Sequence, residues 1–341
     1  MATHRLTDFL PRLVRREDLS RDEAFELLEA LLDAEATDAQ ISGALVAMAA
    51  KGETIDELAG MAEGLRSRAV RVISQHTCFI DTAGTGSSRA KTFNISTAAA
   101  FVIAGAGLPV AKHGNRAASS KSGSADLLTS LGVNVSAIPL VSELALNEIG
   151  ICFMFAPLYH GATARVAGIR RQLGIHTTFN LLGPLSNPAG APRQIVGVWR
   201  KELAEKLAHV LAELGTEHAW VVHGEDGLDE ITLAGMTHVA ETQNGEVKTF
   251  EIGPADFGFE RGSLDHLRGG DAEANAKIVS AVLSGSRKDE ARALVIVNAA
   301  AALFLGGVAS DLREGAKLAA NSIDSGAAEH KLELLIEATS G

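Results

Sequence analysis

Aromatic residues make up only 4% of this 341-residue chain, with one tyrosine and two tryptophans, so its core has to be assembled from alanine, valine, isoleucine and leucine. Cysteine is nearly missing as well. Cys78 and Cys152 stand in apolar, strand-like runs, where cysteine serves as a small core residue rather than a disulfide partner, metal ligand or nucleophile. No apolar run is long enough for a bilayer, since the alanine-rich stretch 98–111 is short and broken by glycine. The opening Met-Ala-Thr-His-Arg-Leu-Thr-Asp lacks the apolar stretch of a signal peptide, and the expectation is a cytoplasmic protein with no membrane partner. Positive charge is also scarce: 31 Lys and Arg face 42 Asp and Glu, a net charge of −11. That balance argues against a nucleic-acid partner, which needs a basic surface.

What is present points to a globular α/β chain. Hydrophobic residues at 46% against 21% charged allow a substantial core, in one large domain or two of ordinary size. Residues 1 to about 70 read as all helix, punctuated by the capping boxes Ser20-x-x-Glu23, Thr37-x-x-Gln40 and Thr54-x-x-Glu57. So small a bundle is marginal alone and is expected to pack on the rest of the chain or on a second copy. Beyond residue 70, short apolar runs at 78–80, 108–111, 151–155, 194–199 and 218–223 alternate with helices. Alternation of this kind predicts a mostly parallel central sheet with helices on its faces. Residues 231–251, with the Asn244-Gly245 turn, predict an antiparallel addition, and helices are predicted over 271–284, 288–305 and 310–337.

Two strand–loop–helix units carry the chemistry. The first loop, Asp81 to Thr97, holds Gly84-Thr85-Gly86, several hydroxyls and two cations, and leads into an apolar helix. Its backbone N–H groups and the positive end of that helix suit an anion. The second loop, Lys112 to Asp126, adds Lys112, Arg116 and Lys121 with four serines. Clustered cations in an acidic protein imply a small anionic ligand, held at the carboxyl ends of the strands. A third strand exit, His223 to Glu230, ends in adjacent acids, Asp229 and Glu230. Such a pair suits Mg2+, which takes one or two carboxylates plus water and substrate phosphates, although a solvated acidic turn looks the same in sequence. Arg165 and Arg170 follow a further strand exit and are five apart, so they do not share one helical face; an inward guanidinium could grip a carboxylate. Thr177 to Pro188, with its Gly-Pro and Asn-Pro steps, reads as rigid turns.

Taken in order, these segments resemble the anthranilate phosphoribosyltransferase family. The resemblance runs from Lys51-Gly-Glu-Thr-Ile-Asp-Glu-Leu-Ala-Gly60 through the Gly84-Thr-Gly loop, Thr92-Phe-Asn-Ile-Ser-Thr97, Lys112-His-Gly-Asn-Arg116 and Ser122-Gly-Ser-Ala-Asp126. It continues with Phe179-Asn-Leu-Leu-Gly-Pro-Leu-Ser-Asn-Pro188, Gly227-Leu-Asp-Glu230, Gly269-Gly-Asp271 and Asn275. It implies transfer of a phosphoribosyl group from phosphoribosyl pyrophosphate to the amine of anthranilate, in tryptophan biosynthesis. It implies a homodimer formed through a small helical domain, residues 1–70 with a returning segment near 165–190, and a larger α/β domain, 71–164 and 191–341, that binds the phosphoribosyl donor.

By residue, the resemblance assigns the donor to Gly84, Thr85, Gly86, Ser87 and Ser88, to Thr92, Asn94, Ile95, Ser96 and Thr97, and to Lys112, His113, Gly114, Asn115 and Arg116 with Ala117, Ala118, Ser119, Ser120 and Ser124. It places Mg2+ on Ser96, Asp229 and Glu230. It gives Arg170, Asn115, His113 and His160 catalytic roles, with Arg170 on the anthranilate carboxylate and His160 lining the acceptor channel. Two positions depart from the family pattern. Ser87-Ser88 replaces the usual Gly-Asp, so these hydroxyls, with Arg89 or Lys91, are expected to meet the anion directly and lessen the need for a second Mg2+. Gly161 replaces the proline that usually follows the channel histidine. The alternatives are a related transferase with another acceptor, or a non-catalytic binding relative.

Overall fold

The computed structural model describes residues 5–86, 92–117, 121–264 and 267–340. Four helices open the chain, Leu6–Val14, Arg21–Leu32, Asp38–Lys51 and Ile55–Ser67. All three expected capping boxes form, each hydroxyl accepting from the N–H three residues on while Glu23, Gln40 or Glu57 reaches back. Glu57 is fully buried and also accepts from Leu19 N (2.8 Å) and Lys51 Nζ (2.9 Å), so its desolvation is offset by donors on both oxygens.

The sheet has seven strands: β1 (Ile80–Gly84), β2 (Val110–Gly114), β3 (Ile151–Phe155), β4 (Arg193–Gly197), β5 (His218–Gly224), β6 (Thr237–Gln243) and β7 (Glu246–Ile252). Their order is β3-β2-β1-β4-β5-β6-β7. The pairs from β3 across to β5 are parallel, and β6 and β7 add on antiparallel. Asn244 and Gly245, at φ 52° and 84°, close the β6–β7 hairpin with the left-handed pair that matches strand twist.

Three boundaries differ from the sequence expectation. The strands β1 and β2 begin later than the apolar runs at 78–80 and 108–111 and run on into the polar residues expected to be loop. Asp81, Thr82, Lys112 and His113 can enter the sheet because they satisfy one another: His113 N donates to Asp81 Oδ1 (3.2 Å) and Lys112 Nζ donates to Thr82 O. The helix expected over 310–337 is two, Leu312–Asp324 and Ala327–Ser340, parted at Gly326, whose φ of 79° no helix interior accommodates. The turns expected in 177–188 contain a short helix, Phe179–Leu185, with Pro184 in its last turn.

Helices cover both faces of the sheet around two apolar cores. One lies under Ile95–Gly105, Glu290–Leu305 and Ala327–Ser340. The other joins the four opening helices to Val166, Ile169, Phe179 and Leu182, and continues through the helix Glu202–Glu213 to Val196 and Val221 of the sheet. The opening bundle thus shares its core with the second face of the sheet.

Candidate active site

β1 lies between β2 and β4, so the chain winds outward to β3 and returns on the other side of its first strand. A sheet that reverses direction this way leaves a crevice at its carboxyl edge. Here the crevice opens into a cavity of about 1100 Å³. Gly84, Thr85 and Gly86 leave β1 into it, and Thr92, Asn94, Ile95, Ser96 and Thr97 line it from the start of the next helix. Lys112, His113, Gly114, Asn115, Arg116 and Ala117 enter from β2, with Ser124 beyond, and Asp229 and Glu230 from the loop after β5. Arg170 reaches the same space from the helix Ala164–Leu173. His160 stands behind His113, ring to ring at 5.1 Å. The expected contacts at Ser87, Ser88, Arg89, Lys91, Ala118, Ser119 and Ser120 lie outside the described residues.

The end formed by β1, β2 and the acidic loop is dense with compensated charge. Lys112 is 4% exposed, donates to Thr82 O and stands 3.5 Å from Ser96 Oγ. Ser96 N donates to Glu230 Oε1 (3.1 Å). Burial, and then the neighbouring Asp229, push the Glu230 carboxyl up to about 8. Burial pulls Lys112 below its ordinary value although Asp81 and Glu230 oppose this. Among the described residues no three His, Cys, Asp or Glu gather into a full cage. Two adjacent acids and a serine across a cavity lined by glycine-rich loops nevertheless fit Mg2+, because the repulsion between the acids is what a hard cation relieves.

At the other end the polar groups are fewer, and Arg170 is the one charged among them. His113 Nδ1 lies 3.3 Å from Gly183 O, while its buried Nε2 has no partner among the described residues. Burial, with His160 and Lys112 nearby, holds His113 down at about 3, and burial holds His160 at about 4. Arg170 Nη2 donates to Asn180 Oδ1 (3.0 Å), and the guanidinium carbon stands 5.6 Å from the Phe179 ring centre. Arg165 behaves differently, binding Asp38 (2.7 Å) at the start of the third opening helix and Ala34 O (3.0 Å) in the turn before it. A guanidinium between an aromatic face and an amide, near neutral imidazoles, suits a planar molecule that carries one carboxylate.

Known proteins resemble this chain in sequence and fold. A profile of the glycosyl transferase family, helical bundle domain, matches residues 7–69, and that of its a/b domain matches residues 76–329. The chain is 53% identical over 330 residues to anthranilate phosphoribosyltransferase of Anaeromyxobacter dehalogenans (strain 2CP-C), covering 97% of each. It is 48% identical over 327 residues to the enzyme of that name from Moorella thermoacetica, covering 96% of each. This chain belongs to the anthranilate phosphoribosyltransferase family. The crystal structure of the Thermus thermophilus anthranilate phosphoribosyltransferase matches it at a TM-score of 0.91 and 38% identity, over 98% of this chain and 100% of that one. The Saccharomyces cerevisiae protein in complex with PRPP and Mg matches at 0.89 and 29%, over 98% of both.

Within this anthranilate phosphoribosyltransferase fold, several positions are visible only in three dimensions. Asn180, Phe179 and Gly183 line the cavity from a segment that reads as purely structural in sequence. Asn187 Nδ2 donates to Asp81 Oδ2 (2.7 Å) and ties the returning segment to β1. Asn275 Nδ2 donates to Asn94 Oδ1 (3.1 Å), and Asn94 Nδ2 to Ser122 O (3.2 Å), so one amide chain links three walls of the cavity. At the end of β4, a Cβ on Gly197 would lie 1.7 Å from Asp229 O, which leaves no room for a side chain beside the acidic pair. Phe179, Asn180, Gly183, Asn187 and Asn275 fall within the stretches that carry the family resemblance, which gave none of them a role.

Proposed function

We propose that this chain transfers the phosphoribosyl group of phosphoribosyl pyrophosphate to the amine of anthranilate, releasing pyrophosphate, as a step of tryptophan biosynthesis in the cytoplasm. The observation that carries the reading is a single cavity with a compensated, acid-and-lysine end and an Arg170 end that offers one unneutralised cation. In this reading the main-chain amides near Gly84 to Gly86 and after Lys112 cradle the diphosphate, joined by Ser87, Ser88 and the 118–120 residues. Ser96, Asp229 and Glu230 would hold Mg2+, which would supply positive charge to offset that of the pyrophosphate. The residues near 1–70 and 165–190 form the smaller domain and the homodimer contact, and the remainder forms the donor-binding domain.

The bond from ribose C1 to the pyrophosphate oxygen breaks as the bond from C1 to the anthranilate nitrogen forms, and the amine proton is released. Positive charge grows on the sugar and negative charge on the leaving group. The loop amides and Lys112 act on that negative charge, an electrostatic contribution that requires no nucleophile from the protein. An aromatic amine is unprotonated near neutral pH, so it needs orientation rather than a strong base. Arg170 holds the carboxylate, Asn115 faces the amine, and the neutral His113 and His160 shape the acceptor wall. Loss of anthranilate fluorescence tests this directly. The purified chain is expected to consume anthranilate only with both phosphoribosyl pyrophosphate and Mg2+ present; no consumption under those conditions would refute it.

A further inference from the structure

Two arginines on the helix Ala164–Leu173 are treated in opposite ways by their surroundings. Arg165 is neutralised by the Asp38 carboxylate at 2.7 Å. Arg170, buried against Phe179, meets no carboxylate among the described residues. Its hydrogen-bond partner is the amide oxygen of Asn180, at 3.0 Å, and its Nε has no partner among the described residues. The same Asn180 oxygen accepts from Thr177 N at 3.0 Å, which fixes the amide at the start of the helix Phe179–Leu185. A neutral acceptor aims the guanidinium without cancelling its charge, whereas a carboxylate in that place would form an internal ion pair.

We propose that Asn180 is a positioning residue for the acceptor, presenting Arg170 to the substrate carboxylate and, by being an amide rather than an acid, keeping that cation available. The assignment rests on the reading of Arg170 given above. It has an unusual signature. Asn180→Asp preserves shape and both hydrogen bonds and adds attraction to Arg170, so the fold loses nothing. The acceptor carboxylate, however, must then compete with a built-in counter-ion. Ordinary structural damage moves these two quantities together, and this substitution moves them apart.

The experiment measures melting temperature and both KM values for the wild type, Asn180→Asp, Asn180→Ala and Arg170→Ala. For Asn180→Asp the KM for anthranilate is expected to rise about tenfold or more, with the phosphoribosyl pyrophosphate KM within about twofold and the melting temperature unchanged or higher. For Asn180→Ala the anthranilate KM is expected to rise about threefold, through loss of one charge-assisted hydrogen bond. An unchanged anthranilate KM in Asn180→Asp, or both KM values rising with a lower melting temperature, would overturn the proposal. If Asn180→Asp does not fold, an unchanged anthranilate KM in Asn180→Ala overturns it equally. An unaffected Arg170→Ala variant would instead overturn the role of Arg170 itself, whatever the Asn180 variants do.

Discussion

The two ends of the cavity handle polarity in opposite ways. Around β1, β2 and the loop after β5, charged groups are packed against one another: Lys112 reaches Thr82 O and the neighbourhood of Ser96, while Glu230 leans on Ser96 N. Around Arg170, buried polar atoms, among them His113 Nε2 and Arg170 Nε, lack partners among the described residues. A group already compensated retains its geometry whether or not a ligand arrives. An orphan buried polar atom costs free energy until something answers it. The first end is therefore arranged for a strongly charged ligand bound through many small contacts, and the second for a small, flat one recognised by few.

Removing the acids at the compensated end is the most severe way to break that contrast. Asp229→Asn with Glu230→Gln is expected to lower kcat/KM about a thousandfold and to abolish the Mg2+ response, with anthranilate binding little changed. A titration of rate against Mg2+ checks this. At the opposite end, Arg170→Ala is expected to raise the anthranilate KM roughly a hundredfold, since charge-assisted contacts are the strong ones, with the donor KM within about twofold. If both KM values moved equally, the two ends would not be separable. A subtler fault is Gly197→Ala. Its methyl would meet Asp229 O at 1.7 Å, so the acidic loop has to shift. About a tenfold loss in kcat/KM is expected, together with about 1–3 kcal/mol of stability from overpacking. A chemical denaturation curve beside a donor titration separates the two effects.

The smallest expected effect concerns pH, and its sign differs between the ends. His113 and His160 sit at about 3 and about 4, below the ordinary histidine value near 6.5. Between those values the unfolded chain binds more protons, so stability is lost as pH falls from 6.5 towards 4. Asp81 is pushed up to about 6 by burial, so the folded chain binds more protons there and stability falls as pH rises from about 4 through 6. Melting temperatures of His160→Gln and Asp81→Asn between pH 4 and 7 are expected to change the slope in opposite directions. Slopes shifting the same way would show that the buried groups are not poised as described.

Much of the fold was legible because its signals are local. Each capping box needs only four residues, and the Asn244-Gly245 hairpin two. The segments that line the cavity were legible for the same reason, being contiguous runs of glycine, hydroxyl and cation beside a strand and a helix. What escaped depends on partners far along the chain. Asp81 reads as a loop residue until Asn187, 106 positions away, is seen to satisfy it. Asn180 reads as part of a turn until Arg170 is seen beside it. Periodicity describes which face of an element is apolar, and it is silent about which polar atoms meet across the interior. The misplaced ends of β1 and β2 have the same origin.

The apolar seam that runs from the opening helices through Glu202–Glu213 into Val196 and Val221 has a physical consequence for the whole chain. Cutting the polypeptide near residue 70 would uncover the outer flank of the helix Glu202–Glu213 and leave four helices with half a lining. Heat or denaturant is accordingly expected to take bundle and sheet apart in the same event, which one coincident transition by two probes would check.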